Sequence, residues 1–105
     1  MVDVEAFRTL ALSHTDATEE PHFAKVSFRI QKKIFATLDL ERKTAVLKLT
    51  EELQANYAAQ HESIIYPVKG AWGKQGWTTV ELNHVSEPLL TQVLADAYTT
   101  VCNKK

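Results

Sequence analysis

Cysteine is almost absent from this sequence, and so are long apolar runs. The single cysteine, Cys102, rules out an internal disulfide and is typical of a protein in a reducing cytoplasm. No apolar run approaches the roughly 20 residues that a membrane-spanning helix needs. The first five residues, MVDVE, lack the basic and apolar regions of a signal peptide. We therefore expect a cytoplasmic protein that does not enter a membrane.

The chain also lacks an excess of positive charge. It has 12 Lys and Arg against 13 Asp and Glu, which gives a net charge of −1. Dedicated nucleic-acid-binding proteins more often have a basic excess, because contacts with phosphates supply much of their affinity. This balance counts against tight non-specific binding, so any basic surface has to come from local clustering of lysines.

The hydrophobic pattern predicts one α+β domain that covers residues 1–105. Apolar residues at helical spacing predict helices at 2–13, 50–60 and 86–101. Alternating apolar residues predict strands at 26–30, 34–38, 44–49 and 77–82, and residues 13–21 are interpreted as a turn. With an extended segment at 64–68, the predicted order is α-β-β-β-α-(β)-β-α. Such an order is typical of an antiparallel sheet with helices packed against it.

The three glycines and both tryptophans all fall within residues 69–77. Glycine accepts backbone angles that other residues resist, so glycines three residues apart predict a shaped loop. This loop is expected to present Trp72, Lys74 and Gln75, while Trp77 begins a strand. The fingerprints of phosphate-binding loops have other spacings and lead into a helix, whereas this loop leads into a strand.

Residues typical of catalysis or metal binding form no recognisable constellation. No pair of histidines has the spacing of metal ligands on one helix, and each lies in a predicted turn or loop: His14, His22, His61 and His84. Cys102 has no histidine near it in sequence, and the adjacent glutamates of the chain suit helix ends and turns better than acid–base catalysis. We expect a protein without enzymatic activity, cofactor or metal.

Four segments of the chain resemble the MmcQ/YjbR family: residues 28–30 (FRI), 33–38 (KIFATL), 48–50 (KLT) and 70–78 (GAWGKQGWT). The likeness extends from Phe7 to Tyr98. It implies a fold similar to that of the bacterial frataxin homologue, CyaY, with two hairpin-like projections described as a double wing. The first wing would be the hairpin at residues 31–33 and the second the loop at residues 69–77. Members of the family are commonly labelled as DNA-binding, and the resemblance implies that function for this chain.

Two positions depart from the pattern of the family. Lys32 stands where members often have a glycine, just before the lysine that matches Lys33, and Ala24 stands where they often have a glycine after the residue that matches Phe23. Neither departure affects the predicted fold. Both are expected to alter the geometry of the wings.

Two functions therefore remain open. In the first, the chain binds DNA through its two wings, with lysines on phosphates and a tryptophan stacked on a base, using Lys32, Lys33, Lys69, Trp72, Lys74 and Gln75. In the second, the 69–77 loop binds a protein or a small ligand, because a part-exposed tryptophan and Tyr66 suit a protein hot spot in a chain of nearly neutral charge. A purely structural interpretation is that both tryptophans anchor the core. We expect Trp77 to be mostly buried and Trp72 to be partly exposed.

Overall fold

A single antiparallel sheet dominates the computed structural model, which describes residues 2–22 and 25–102. Within these residues the strands are β1 (Thr18–His22), β2 (Lys25–Ile30), β3 (Lys33–Asp39), β4 (Thr44–Lys48), β5 (Ile65–Pro67) and β6 (Trp77–Glu81). Their order across the sheet is β1-β2-β3-β4-β6-β5. The chain therefore leaves β4, forms the edge strand β5 and returns to place β6 between them.

The helices of the described residues are α1 (Val4–Leu12), α2 (Glu51–Gln60), α3 (Ala71–Lys74) and α4 (Glu87–Cys102). Side-chain oxygens accept hydrogen bonds from the first turn of the three long helices, which satisfies backbone N–H groups that have no partner inside the helix. The acceptors are Asp3 (2.7 Å), Thr50 (3.1 Å) and Ser86 (3.3 Å). Thr50 and Ser86 are the first residues of the helices predicted at 50–60 and 86–101, and each caps its helix.

The core lies between the inner face of the sheet and the three long helices. The ring of Phe7 in α1 meets the edge of Phe28 in β2, with centroids 5.5 Å apart. Helix α2 is joined to α4 by a hydrogen bond from the Tyr57 hydroxyl to Asp96. Helix α4 covers β3 and β4 with a fully apolar stripe, as predicted: Leu90, Val93, Leu94, Ala97 and Val101.

A β-bulge in β3 changes which residues face the core. Phe28 of β2 pairs with Ala36, but the next residue, Arg29, pairs with Ile34, so Phe35 has no partner in the β2 ladder. An extra residue of this kind interrupts the alternation of a strand. As a result Phe35 and Ala36 are both buried, and Ile34 belongs to the outer face.

Three features of the predicted fold are wrong in detail. Residues 18–22 form strand β1 rather than a turn, so the meander has four strands. The sequence there is Thr-Glu-Glu-Pro-His, and an edge strand with one neighbour accepts proline and needs no apolar alternation. The 69–77 loop contains the one-turn helix α3, which is too short to show a helical period. The observed order is α-β-β-β-β-α-β-α-β-α.

Some predictions are not tested by this structure. Phe23, Ala24 and the basic tail at 103–105 lie outside the described residues, and the comparison with CyaY stays a prediction. Among residues 2–22 and 25–102, no helix combines the length and the apolar character needed to cross a membrane.

Candidate binding face of the sheet

The first predicted wing is a two-residue hairpin turn between β2 and β3. Gln31 and Lys32 both have positive φ angles, 51° and 69°, and the flanking residues Ile30 and Lys33 pair with each other. Positive φ at both central positions is the signature of the turns that match strand twist, although Asn-Gly is the usual sequence there. The hairpin is confirmed despite its unusual turn residues, and both lysines are exposed at its end.

The second predicted wing is folded back onto the sheet. Gly76 has a φ of 100°, and a Cβ added to it would lie 1.8 Å from the carbonyl oxygen of Leu49. Gly73, in α3, would place a Cβ 1.9 Å from the carbonyl oxygen of Val68. Two of the three glycines are therefore required by close backbone approach. The loop is held against its neighbours as a compact cap on one end of the sheet.

Gln54 of helix α2 holds this loop by hydrogen bonds from the inner side of the sheet. It was not among the residues predicted from the sequence. Its Nε2 atom lies 2.9 Å from the carbonyl oxygen of Gly73, 3.0 Å from that of Trp77 and 3.2 Å from the hydroxyl of Thr78. Gln54 is buried, as is Tyr57 one turn later. A glutamine on the buried stripe of a helix was the available signal, because buried polar side chains are almost always hydrogen-bonded.

The two tryptophans have different environments. Trp72 in α3 is 62% exposed, and its ring meets that of Trp77 edge-on, with centroids 6.1 Å apart. Trp77 is half-buried, and the Lys48 ammonium lies 5.5 Å from the centroid of its ring while donating a hydrogen bond to the carbonyl of Gln75. The predicted partial exposure of Trp72 is confirmed. It presents an aromatic surface to solvent on a locally rigid support.

The outer face of the sheet forms a broad groove beside these tryptophans. Residues from four neighbouring strands lie in one register row, Thr37 beside Val46, Val46 beside Thr79 and Thr79 beside Tyr66. They line a groove of about 650 Å³, which continues into an apolar end of about 380 Å³. The apolar end is lined by Lys25, Ile34, Thr37, Val46, Val68, Trp72 and Trp77. A concave surface with exposed aromatic carbon is thus built on the side opposite the core.

The groove contains both signs of charge, and the carboxylates are already engaged. Asp39 accepts hydrogen bonds of 3.1 Å from the backbone of Glu41 and Arg42. Glu81 accepts a hydrogen bond from the Tyr66 hydroxyl, and this bond with burial raises the pKa of Tyr66 to about 12.

The lysines of the groove are differently placed. Within residues 2–22 and 25–102, Lys25 and Lys69 have no ion-pair partner, although both line the same groove. With Arg42, the groove holds three cations against two carboxylates, so its positive charge exceeds its negative charge by one.

The six predicted site residues do not all face one surface. Lys69 and Trp72 line the outer groove, whereas Lys74 lies beside Glu51 and Gln54 at the start of α2. Gln75 faces a separate depression next to α4, with Lys48 and Asp96.

The β2–β3 turn carries Lys32 and Lys33 at the same end of the sheet as the loop. This follows from the strand pairing, since β3 begins where its antiparallel neighbour β4 ends, and Lys48 at the end of β4 pairs with Trp77. Tyr66 was predicted only for the alternative protein-binding function, and the groove residues Lys25, Ile34, Val46 and Val68 were not predicted as site residues.

A second cluster of aromatic rings lies away from this groove. His14 stacks on Tyr98 with centroids 4.7 Å apart, and the Tyr98 hydroxyl donates to the carbonyl of Thr15. Burial lowers the pKa of His14 below its ordinary value. His14 is thus a packing residue that joins the α1–β1 connection to α4. The other prediction for the histidines, that none holds a metal, stays a prediction.

Comparison with known proteins gives a family and two related structures. The YjbR family model matches residues 12–100. A crystal structure of the Deinococcus radiodurans protein DR2400, described as a DUF419 domain, is 23% identical with a TM-score of 0.86. That match covers 99% of this chain and 81% of the other.

A structural-genomics target from Pseudomonas syringae is 19% identical with a TM-score of 0.73, over 94% of this chain and 98% of the other. At these identities the likeness shows the fold. No curated protein matches the chain.

Proposed function

Because the chain belongs to the YjbR family, whose function is uncharacterised, we propose a role for it from its own surface: a non-enzymatic cytoplasmic protein that binds DNA. The binding surface in this proposal is the end of the sheet that carries both wings, the β2–β3 turn and the 69–77 loop. Lys32, Lys33, Lys69 and Lys74 hold phosphates, while Trp72 contacts a base and Gln75 a base edge.

The observation that carries this proposal is the exposure of Trp72 on a loop bordered by lysines. An indole that is 62% exposed is unusual in a chain that buries most of its large apolar side chains. Lys69 precedes it and Lys74 follows it, and both are exposed. Lys69 lines the same groove as Trp72, whereas Lys74 lies on the other side of the loop. An exposed aromatic ring beside a cation suits a ligand that offers both stacking surfaces and negative charge.

A charge-reversal experiment tests the proposal. We expect the double variant Lys69→Glu/Lys74→Glu to bind DNA more weakly and with a flatter dependence on salt, because fewer counterions are released when fewer phosphates are contacted. Isothermal titration calorimetry at several salt concentrations measures both. The single variant Lys69→Glu is measured as well, and Lys43→Glu is its control. Lys43 is exposed in the β3–β4 turn at the opposite end of the sheet. A double variant that binds DNA like the parent contradicts the proposal.

The alternative function is a protein-interaction or small-ligand-binding module that uses the same loop. It is favoured by the mixed charge of the groove, where Asp39 and Glu81 face the same space as Lys25 and Lys69. Exposed Trp72 and Tyr66 at one site also resemble a protein hot spot. Retention on a heparin or DNA-cellulose column at low salt separates the two functions. Passage straight through both columns favours the alternative.

A further inference from the structure

Within residues 2–22 and 25–102, the three long helices leave the outer face of the sheet uncovered, unlike the inner face. The three long helices all meet the inner side: α1 through Phe7 against Phe28, α4 over β3 and β4, and α2 through Gln54 against the inner-facing Thr78. The outer residues are instead half-exposed and line the groove. An uncovered face of this breadth can accept an extended ligand that runs across several strands.

The apolar end of the groove offers a place for a flat ring. Ile34, Val46 and Val68 form its floor and sides, and Trp72 and Trp77 close it. The two indoles are held edge to face at an angle of 67°, so the face of Trp72 stays available. Stacking of a nucleic-acid base on an aromatic side chain contributes about 1–3 kcal/mol and does not depend strongly on sequence.

Charge complementarity selects an anionic ligand for this face. Both lysines of the groove lie close to its apolar part: Lys25 lines that part, and Lys69 is one residue from Val68. The carboxylates, Asp39 and Glu81, are engaged by backbone N–H groups and by Tyr66. Asp39 is the register partner of Lys25, so a carboxylate lies beside that lysine. Three cations, Lys25, Arg42 and Lys69, nevertheless exceed the two carboxylates of the groove and favour a phosphate.

A duplex fits this surface poorly. Reading of a duplex places a helix or a protruding two-stranded ribbon in the major groove. Here the β2–β3 turn is only Gln31 and Lys32, and α3 has four residues and packs back against Val68. The stacked bases of a duplex are not available to Trp72. The unstacked bases of a single strand are available to Trp72.

We propose that the ligand of this face is a single-stranded nucleic acid that crosses the sheet, with one base stacked on Trp72 and neighbouring phosphates at Lys25 and Lys69. This inference rests on the proposed DNA-binding function and specifies its substrate class. It adds Lys25, which comes from strand β2 and not from either wing. The strand passes along the row of Thr37, Val46 and Thr79.

The experiment compares two probes by titration calorimetry at low salt: an oligothymidylate, and a duplex of the same length. We expect the oligothymidylate to bind more tightly than the duplex. Trp72→Ala is expected to weaken its binding by about tenfold, the size of one lost stacking contact, while Trp72→Phe keeps most of the affinity. Leu40→Ala is the control, because Leu40 is an exposed apolar residue in the β3–β4 turn, outside the groove. Lys25→Glu is expected to weaken binding as Lys69→Glu does.

The outcomes separate this inference from the function on which it rests. Equal or tighter binding of the duplex, weakened by Lys69→Glu/Lys74→Glu, overturns the single-strand inference and leaves DNA binding standing. An oligothymidylate that binds equally to parent and Trp72→Ala overturns the stacking site. Failure of both probes to bind overturns the inference and the proposed function together.

Discussion

Gln54 is the residue on which the 69–77 loop depends. Its amide nitrogen reaches two backbone carbonyls and one hydroxyl from below the sheet, where water has little access. Both carbonyls also accept a backbone N–H, from Gly76 and Val68, so Gln54 adds to their bonding, and each such hydrogen bond contributes about 0.5–1.5 kcal/mol. The orientation of Trp72, one residue before Gly73, is thereby fixed from a neighbouring helix.

We predict that Gln54→Ala lowers the free energy of unfolding by about 1–3 kcal/mol, through the lost hydrogen bonds and a small cavity. Urea unfolding of parent and variant measures the loss. Gln60→Ala is the matched control: it removes the same side chain from an exposed position of the same helix, where alanine favours the helix. Equal effects of the two substitutions would show that the three hydrogen bonds contribute little.

His14 gives the protein a pH dependence of known sign. Burial lowers the pKa of His14 from its ordinary value of 6.5, so the unfolded chain binds a proton more readily than the folded one. The free energy of unfolding therefore falls as the pH drops below 6.5, and levels off below the folded pKa. We predict a smaller fall for His14→Phe, which keeps an aromatic ring against Tyr98 but cannot titrate.

Urea unfolding above and below pH 6.5 checks the effect of His14, and an NMR titration of the imidazole protons checks its pKa directly. His84→Phe is the control, because His84 is exposed in the turn after β6. A His14 that titrates at or above 6.5 would contradict the prediction.

At the scale of an element, the 69–77 loop owes its shape to two different demands on glycine. Gly70 has a φ of 80° and open space around its Cα, so it meets only a demand on backbone angle. Gly76 combines a φ of 100° with the close carbonyl of Leu49. A substitution at Gly70 strains the backbone angle alone. A substitution at Gly76 strains the backbone angle and also overpacks against the backbone of Leu49.

We predict that Gly76→Ala destabilises the protein by about 2 kcal/mol more than Gly70→Ala, which is the size of the overpacking cost alone. The two substitutions share the unfavourable φ, so their difference isolates the close approach to Leu49. Thermal unfolding of both variants under one condition provides the comparison. Equal losses would mean that the loop relaxes away from β4 at little cost.

The elements that sequence predicted well are those with a long apolar period. Helix α4 and strands β2 to β4 each bury a repeated set of side chains, so their pattern reflects the core directly. Strand β1 and helix α3 have no such set: β1 is a polar edge strand and α3 is a single turn. Their formation depends on pairing with β2 and on contacts with Val68, which a local pattern does not contain.

At the scale of the whole molecule, the free edge of β5 is protected by a proline. The N–H of Val68 bonds to the carbonyl of Trp77 in β6 at 3.0 Å. Successive N–H groups of a strand point to opposite sides, so the nitrogen of Pro67 faces the free edge. Proline there offers no donor to another chain, which discourages edge-to-edge association.

We predict that Pro67→Thr increases self-association at high protein concentration, because the new N–H adds a donor to the free edge of β5. Static light scattering over a concentration series measures the change in average mass. Pro88→Thr serves as the control, since Pro88 is exposed in the first turn of α4, away from the sheet edges. A Pro67→Thr protein that scatters like the parent would show that β5 is too short to pair.

The candidate site was only half predictable. Lys69 and Trp72 could be selected because they lie in the glycine-rich segment, and they do line the groove. Lys25, Val46 and Tyr66 reach the same surface from three other strands, and their proximity depends on a sheet order that sequence did not provide. Lys74 and Gln75 were expected beside Trp72, but one helical turn carries them to the other side.

The pairing of the two indoles also has an optical consequence. Trp72 and Trp77 are the only tryptophans of the chain and lie 6.1 Å apart, so their electronic transitions couple and their emission arises from one end of the sheet. Fluorescence therefore reports on the 69–77 loop, whereas far-ultraviolet circular dichroism reports on the whole backbone. If the loop detaches before the core melts, emission will change at lower denaturant than ellipticity. The two tryptophans are therefore an intrinsic fluorescent probe of local opening of the 69–77 loop.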